Sequence, residues 1–507
     1  MAVGTEFVIS GGLLLADANS QAHPRDILVS AGKIKMVGAP GTFSTSGVSV
    51  LDARRKLIIP GIVNAHYHSH DVLSRGMFED IPLEVWIALA IMPSTRSLSV
   101  REVRIRTLFG AIDCLRNGIT TVQDMLGCGP GSEPHIEATI QAYDDVGIRC
   151  VLGLQVGNRP PIDCLPGIRD VLPPDLIPLL SGTPPSVQRI LDFVSAPLLS
   201  KGNERLSFAI APGSPQRCSL ELMSGLAKLS ADHNLPLVTH VNESKLQVFL
   251  AEELYAEYGG SVLDYLEAAG ALSDRLCMAH GIWFSDSEIE RIATAGASVA
   301  TCPTSNLKLK NGVAPLRKLK HAGVRLALGC DNTSAGDSQN PFEAMKLICN
   351  LNAGKGAAES TFLASDALQL ATSGGAKILG LSEKLGAIKE GMLADLTLVD
   401  LSDPSYLPLN NPARQIVYCE SGRGVHTVIV NGQVVIEDRQ LKTMDYGKLV
   451  DDCLELSEIY IHDQRLHHAN LKSVIPSILA VVRNQSKRRL DFNRWPFADD
   501  ALVHDLA

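Results

Sequence analysis

The sequence predicts an α/β fold: a (β/α)8 TIM barrel, a small β-sandwich domain built from both chain ends, and a C-terminal helical extension. Three observations carry that reading. Eight short apolar runs between residues 62 and 332 alternate with amphipathic helical stretches, the pattern of a parallel sheet covered by helices. Before residue 60 and again after 385 the texture changes to short segments broken by Gly- and Asp-rich turns, which reads as antiparallel β. Beyond about residue 445, apolar residues recur at helical spacing. The expected division is 1–59 and 385–440 for the two parts of the sandwich, 60–384 for the barrel and 441–507 for the extension. A chain of 507 residues has room for all of them.

In chain order, FVISGGLLL, DILVSAGKIKMVG and VSVLDARRKLIIP make the first β segments. The barrel strands are read at 62–68, 120–125, 149–156, 207–214, 236–243, 276–283, 298–305 and 325–332. Helical patterns sit between most of them, as in REVRIRTLFGAIDCLRNG (101–118) and SLELMSGLAKLSADHN (219–234). A Pro-rich insertion at 158–186 follows the third strand and so belongs to the face where barrel active sites are built. It reads as a lid or substrate wall, or as a surface excursion. GAIKEGMLADLTLVDL (386–401) and IVYCESGRGVHTVIVNGQVVIED (416–438) return to β. The tail carries more apolar residues than a free segment would expose, so it is expected to pack on its own barrel or on a second subunit, in a homodimer or larger homo-oligomer.

A net charge of −9 argues against a nucleic-acid partner, which would need a clustered basic surface. No apolar run reaches the roughly 20 residues that span a bilayer. The first twenty residues lack a basic leader and contain Gly-Gly, so they read as strands and not as a signal peptide. Eleven scattered cysteines without CxxC spacing then suit reduced thiols in a cytoplasmic protein.

The chemistry sits at the strand ends. His66 and His68 alternate after the apolar run KLIIPGIVNA, so in an extended strand both point to one side, a pair of nitrogen donors suited to a cation. The fifth strand ends in THVNE with His240 and Glu243, the sixth carries His280, and the eighth ends in GCDN with Asp331. Four histidines and two carboxylates thus converge on one mouth.

This constellation resembles the amidohydrolase superfamily, in its metal-dependent deaminase and chlorohydrolase branch. The likeness runs from the N-terminal β segments to about residue 440. Its carriers are PGIVNAHYH, SRGMFEDIPLEVW (74–86), THVNE, AHG, TCPTSNLKL (301–309), GCDN and GAIKEGMLADLTLVDL. The resemblance implies one divalent metal per chain, zinc with iron as the alternative, held by His66, His68, His240 and Asp331. Strands three and four carry no lysine that could bridge a second ion. Such a donor set leaves a place for water, whose pKa the metal lowers. Asp331 is then the base for that water, Glu243 passes protons to a ring nitrogen and to the leaving amine, and His280 orients the attacking oxygen or stabilises the oxyanion. Glu84 and Trp86, in the substrate loop, are expected to line the pocket or to pack. His70 and Asn332 are further pocket candidates, and Asn306 is read as a brace of the strand-seven loop. Relatives usually place a substrate-holding histidine in the strand-four motif, where this chain has Gly213, which leaves a nucleoside substrate open. The expected activity is hydrolytic deamination of an amino-substituted heteroaromatic ring. Cleavage of an amide, urea, carbamate or carbon–halogen bond is the alternative, and a catalytically silent scaffold the third possibility.

Overall fold

A computed structural model describes residues 6–91, 97–198, 202–354 and 361–495. Residues 1–5 and 496–507, parts of the expected β segment and extension, lie outside the described residues.

The eight barrel strands are Ile62–His68, Ile119–Gly127, Arg149–Val156, Leu206–Pro212, Leu237–Val241, Leu276–His280, Ser298–Thr301 and a split eighth, Arg325–Leu328 with Asp331–Asn332. Each pairs in parallel with the next. The second piece of the eighth pairs back onto the first, Asp331 opposite Tyr67 and Asn332 opposite His68, which gives the sheet its barrel-like form. That return depends on Gly329. A Cβ there would lie 2.7 Å from the His66 Cβ and 2.8 Å from the Cys302 sulfur, too close for any side chain. Small and β-branched residues from successive strands, among them Val63, Ala65, Val151, Ala209, Val238, Ala300 and Ala327, fill the interior.

Strands four to seven are shorter than the apolar runs suggest. Pro212 and Pro303 stop two of them, Pro303 by opening the helix Pro303–Lys308. Asn242, His280 and Asp331 take left-handed backbone angles (φ 47°, 69° and 63°), so the chain leaves its strand where the polar residues begin. Glu243 consequently stands in a turn before the helix Lys245–Leu254, and not on a strand.

The β region is one connected sheet of nine strands and not two separately bonded ones. Lys56–Pro60 joins its halves: it pairs with Phe7–Leu14 on one side and antiparallel with Leu396–Asp400 on the other. Strand three of the barrel is tied to this sheet by a buried two-pronged ion pair, Arg149 Nε and Nη2 to the Asp395 carboxylate at 2.8 and 3.0 Å. Asp395 also accepts from the Asn431 N–H.

The extension forms two helices, Tyr446–Leu471 and Ile475–Ser486, and packs on its own chain. Leu449, Leu456, Tyr460, His467 and Leu471 recur at steps of four and seven and make one buried stripe. The Arg116 guanidinium sits 4.0 Å over the Tyr446 ring, and Arg101 pairs with Asp452 and Glu455. The Pro-rich insertion folds as short helical turns whose Ile162, Ile168, Leu172 and Leu180 share one apolar cluster with Trp86, Ile478 and Val481. Insertion, tail and the loop that carries Trp86 therefore form a common roof. Among the described residues no helix is long and apolar enough to cross a membrane.

Removing one partner of a buried ion pair strands the other charge. Asp395→Ala should therefore lower stability by about 3–5 kcal/mol in denaturant unfolding, and the double substitution Arg149→Met, Asp395→Leu should recover much of the loss. A single-mutant cost below about 1 kcal/mol would contradict this role for the pair.

Candidate active site

The positions of His66 and His68 follow from a bulge. Strict alternation would set Ala65 and His66 on opposite faces. The pairing with strand two runs Asn64 to Val122 and then Tyr67 to Asp124, so strand one carries one extra residue at this point. Ala65 can then face the interior while His66 and His68 both face the mouth, and Tyr67 packs outward against Gly110.

Four ligand atoms meet there, all within 4.8 Å of one another: one each from His66, His68, His240 and Asp331. His68 Nε2 is 3.2 Å from both His66 Nε2 and His240 Nε2, and Asp331 Oδ1 is 3.3 Å from His66 Nε2 and 3.5 Å from His68 Nε2. The second nitrogen of two rings decides what the first can do. His68 Nδ1 donates to the Met125 carbonyl and His240 Nδ1 to the Gly213 carbonyl. A carbonyl only accepts, so both protons sit on Nδ1 and the Nε2 lone pairs of His68 and His240 face each other. Burial lowers the pKa of all three imidazoles, His68 well below its ordinary range and His240 to about 3, so they stay neutral. Burial works against the Asp331 charge, but His280, His66 and His68 outweigh it and hold that carboxyl well below its usual range. Asp331 Oδ1 has no hydrogen-bond partner. Three neutral nitrogens and one carboxylate with a bare oxygen fit a divalent cation. Carbonyl acceptors behind the imidazoles are the usual support of such a site.

A second cluster, His66, His280, Cys302 and Asp331, shares two residues with the first. Burial pushes the Cys302 thiol well up, so it remains protonated and is a poor ligand. The Asp331 backbone is held in its left-handed conformation by Gln339, whose Nε2 donates to the Asp331 carbonyl at 2.9 Å while Asn64 binds the Gln339 Oε1.

Glu243 and His280 stand beside this cluster. Burial raises the Glu243 carboxyl to about 7. Asn311 Nδ2 donates to its Oε1 at 2.9 Å, and its Oε2 lies 3.6 Å from His280 Nε2. His280 Nδ1 donates to Asn306 Oδ1 at 2.8 Å, so Asn306 orients this ring. His280 Nε2 is buried without a partner, 3.9 Å from Asp331 Oδ2.

Over these groups opens a cavity of about 570 Å³. Glu84, Trp86, His70 and Asn332 all line it, with His68, His240 and Glu243 on its floor. Glu84 accepts from Ser244 Oγ at 2.7 Å, and burial raises its pKa. The Trp86 indole donates to Ser334 Oγ at 3.0 Å. His70 Nδ1 accepts from the Gly127 N–H, and burial, with Arg106 beside it, lowers its pKa to about 3.

Two features escaped the sequence reading. Gln155 lines the cavity next to Gly213, where a Cβ would meet its Cγ and Nε2 at 3.4 Å, and its Oε1 is buried without a partner. The signal was present: a polar residue near the end of the otherwise apolar strand RCVLGLQV. The other is the tail, which lends Tyr460, Gln464, His467 and Ile478 to the lining, and no strand-end pattern marks those residues.

Residues 57–435 match the sequence profile of the amidohydrolase family. The chain is 33% identical over 451 residues to a 5-methylthioadenosine/S-adenosylhomocysteine deaminase of Pyrococcus furiosus, covering 89% of this chain and 100% of that protein. It is 30% identical over 448 residues to a 5'-deoxyadenosine deaminase of Methanocaldococcus jannaschii, covering 88% and 99%. Among solved structures it is similar to an adenosine deaminase of Xanthomonas campestris with bound zinc (TM-score 0.78, 25% identity, 91% of this chain and 99% of that one). An atrazine chlorohydrolase of Arthrobacter aurescens complexed with zinc gives TM-score 0.78 at 25% identity, over 89% and 100%.

The raised Glu243 pKa has a measurable sign. Its ordinary value is 4.5 and burial takes it to about 7, so the folded metal-free protein keeps a proton that the unfolded chain releases. The stability this contributes is full below about pH 4.5 and is lost as pH rises to about 7. Glutamine cannot titrate. Between these pH values the stability of Glu243→Gln, relative to the unsubstituted protein and with metal chelated from both, should shift in favour of the variant. A difference independent of pH, measured by urea unfolding, would contradict the burial of this carboxyl.

Proposed function

The chain belongs to the amidohydrolase family, and from that premise we propose that it is a metal-dependent aminohydrolase that removes the exocyclic amine of a heteroaromatic ring, adenosine derivatives being its substrate class. The observation that carries the reading is the meeting of His66, His68, His240 and Asp331 within 4.8 Å, beside a buried carboxyl raised to about 7. The names of the relatives in Pyrococcus furiosus and Methanocaldococcus jannaschii support the substrate class.

In this proposal those four residues hold one divalent ion, zinc before iron. When bound, the ion supplies Lewis acidity and makes water nucleophilic at neutral pH. The protein's groups then divide the proton work. Asp331 takes a proton from the attacking water. Glu243, titrating near neutrality, gives its proton to a ring nitrogen and a second, replaced by the water proton that Asp331 took, to the departing amine. The hydroxyl proton on the new C–O bond then restores it, and Asn311 fixes its direction. His280, aimed by Asn306 through its Nδ1–H, presents its Nε2 lone pair to the hydrogen of the hydroxyl added to the ring carbon. Glu84, Trp86, His70 and Asn332 contact the substrate from the cavity wall. The proposal includes the division into barrel 60–384, sandwich 1–59 with 385–440, and extension 441–507. It also includes homo-oligomeric assembly, for which Leu454 (63% exposed) and Ile459 (52%) on the tail helix offer apolar contacts, and a cytoplasmic setting, where eleven unpaired thiols persist.

Purified protein should carry about one zinc or iron per chain and release ammonia from adenosine derivatives in preference to aminopterins, aminotriazines, aryl amides and ureas. Glu243→Gln should keep its metal and lose about 10² to 10⁴-fold in turnover, whereas His240→Ala should lose the metal. A stoichiometry near two, loss of metal in Glu243→Gln, or chloride release from atrazine without ammonia release from any adenosine derivative would overturn the assignment.

A further inference from the structure

The cavity is walled by parts of the chain that lie far apart in the sequence. Its floor belongs to the barrel strands, inside the segment that matches the family, and that match ends at residue 435. Tyr460, Gln464, His467 and Ile478 lie beyond it and still line the same space. They are built into place. Tyr460 Oη is 2.6 Å from Ser74 Oγ, on the turn that follows the His66 and His68 strand. His467 and Ile478 are buried, Ile478 in the apolar cluster that contains Trp86 and Leu246, and the neighbouring His468 ring lies 5.6 Å from Phe78. The Gln464 amide makes no hydrogen bond within the described residues, so it is free to meet a ligand.

We propose that the C-terminal helices form the distal wall of the substrate cavity and select the 5′ arm of the nucleoside, with Gln464 as a specificity-determining residue. This rests on the adenosine-derivative reading above. The purine carbon that loses its amine must reach Glu243 and the imidazoles on the floor. The ribose and whatever its 5′ carbon bears then extend away from them, toward the roof. The tail contributes a phenol, an amide, a neutral imidazole and an alkyl chain to that end. Discrimination therefore falls on the length and shape of the arm. A pocket that gains or loses a few atoms of room changes the preference between such substrates by about 10 to 200-fold.

The test uses the full-length zinc enzyme and three substrates that share the reacting ring: adenine, 5′-deoxyadenosine and 5′-methylthioadenosine. Gln464→Trp, which fills the wall from a partly exposed position, should lower kcat/KM for 5′-methylthioadenosine at least about tenfold relative to adenine. Metal content and melting temperature should be unchanged. Gln464→Ala, which leaves the fold less burdened, should move the same ratio the other way or relax the preference for arm length. If both variants change all three substrates by one common factor, or neither changes the ratio, the wall assignment is overturned and the deaminase reading stands. If the unsubstituted enzyme releases ammonia from none of the three, the adenosine reading fails and the assignment falls with it.

Discussion

Two imidazole lone pairs held 3.2 Å apart in a dry barrel mouth, with a bare carboxylate oxygen 3.5 Å from one of them, repel each other until a cation sits between them. Much of the surrounding structure serves to maintain that arrangement. Two backbone carbonyls fix which nitrogen of His68 and His240 faces inward. A bulge in strand one sets His66 and His68 toward the same point, and Gly329 lets strand eight approach closely enough to deliver Asp331. The left-handed residues Asn242, His280 and Asp331 mark where strand geometry yields to the demands of the site, the usual location of backbone strain in a functional centre. Buried amides hold them, with Gln339 and Asn64 behind Asp331, Asn306 behind His280 and Asn311 on Glu243.

The same burial that keeps the imidazoles neutral raises Glu243. One physical cause, exclusion of water from the mouth, thus prepares both a set of neutral nitrogen ligands and a carboxyl able to give and take a proton near neutral pH. Exclusion of water in turn depends on the roof. The loop that carries Trp86, the Pro-rich insertion and the tail helices share one apolar cluster above the cavity, so the parts of the chain farthest from the chemistry in sequence help to set its dielectric.

Much of this was legible beforehand. The eight strand positions follow from apolar runs of the right length, and His66, His68, His240, Glu243, His280 and Asp331 stand out as polar residues at the ends of those runs. Glu84, Trp86, His70 and Asn332 line the cavity, as the motifs suggest. Other features were not legible, for identifiable reasons. Strand ends were overextended because apolar character continues past the point where a proline or a left-handed residue ends pairing. The two parts of the expected sandwich are hydrogen-bonded into one continuous sheet because Lys56–Pro60 pairs on both edges, which composition does not encode. Gln155 carries the same signal, a polar residue near a strand end, but a glutamine is neither a usual metal ligand nor a proton donor in catalysis, so only the cavity around it gives it a role.

By itself the sequence determined the kind of chemistry available: imidazoles and carboxylates at strand ends, apolar runs that must be buried, and a tail too apolar to remain free. These are properties of residue type and local period, and they survive any change in long-range arrangement. Tertiary structure alone decided which lone pairs face each other, because a ring's tautomer depends on a carbonyl 57 residues away for His68 and 27 for His240. It alone placed Gln464 and His467 in the substrate cavity, since their helix carries an ordinary amphipathic stripe. These side chains meet the cavity only because the Ser74 and Phe78 turn, almost four hundred positions earlier, lies beneath their helix.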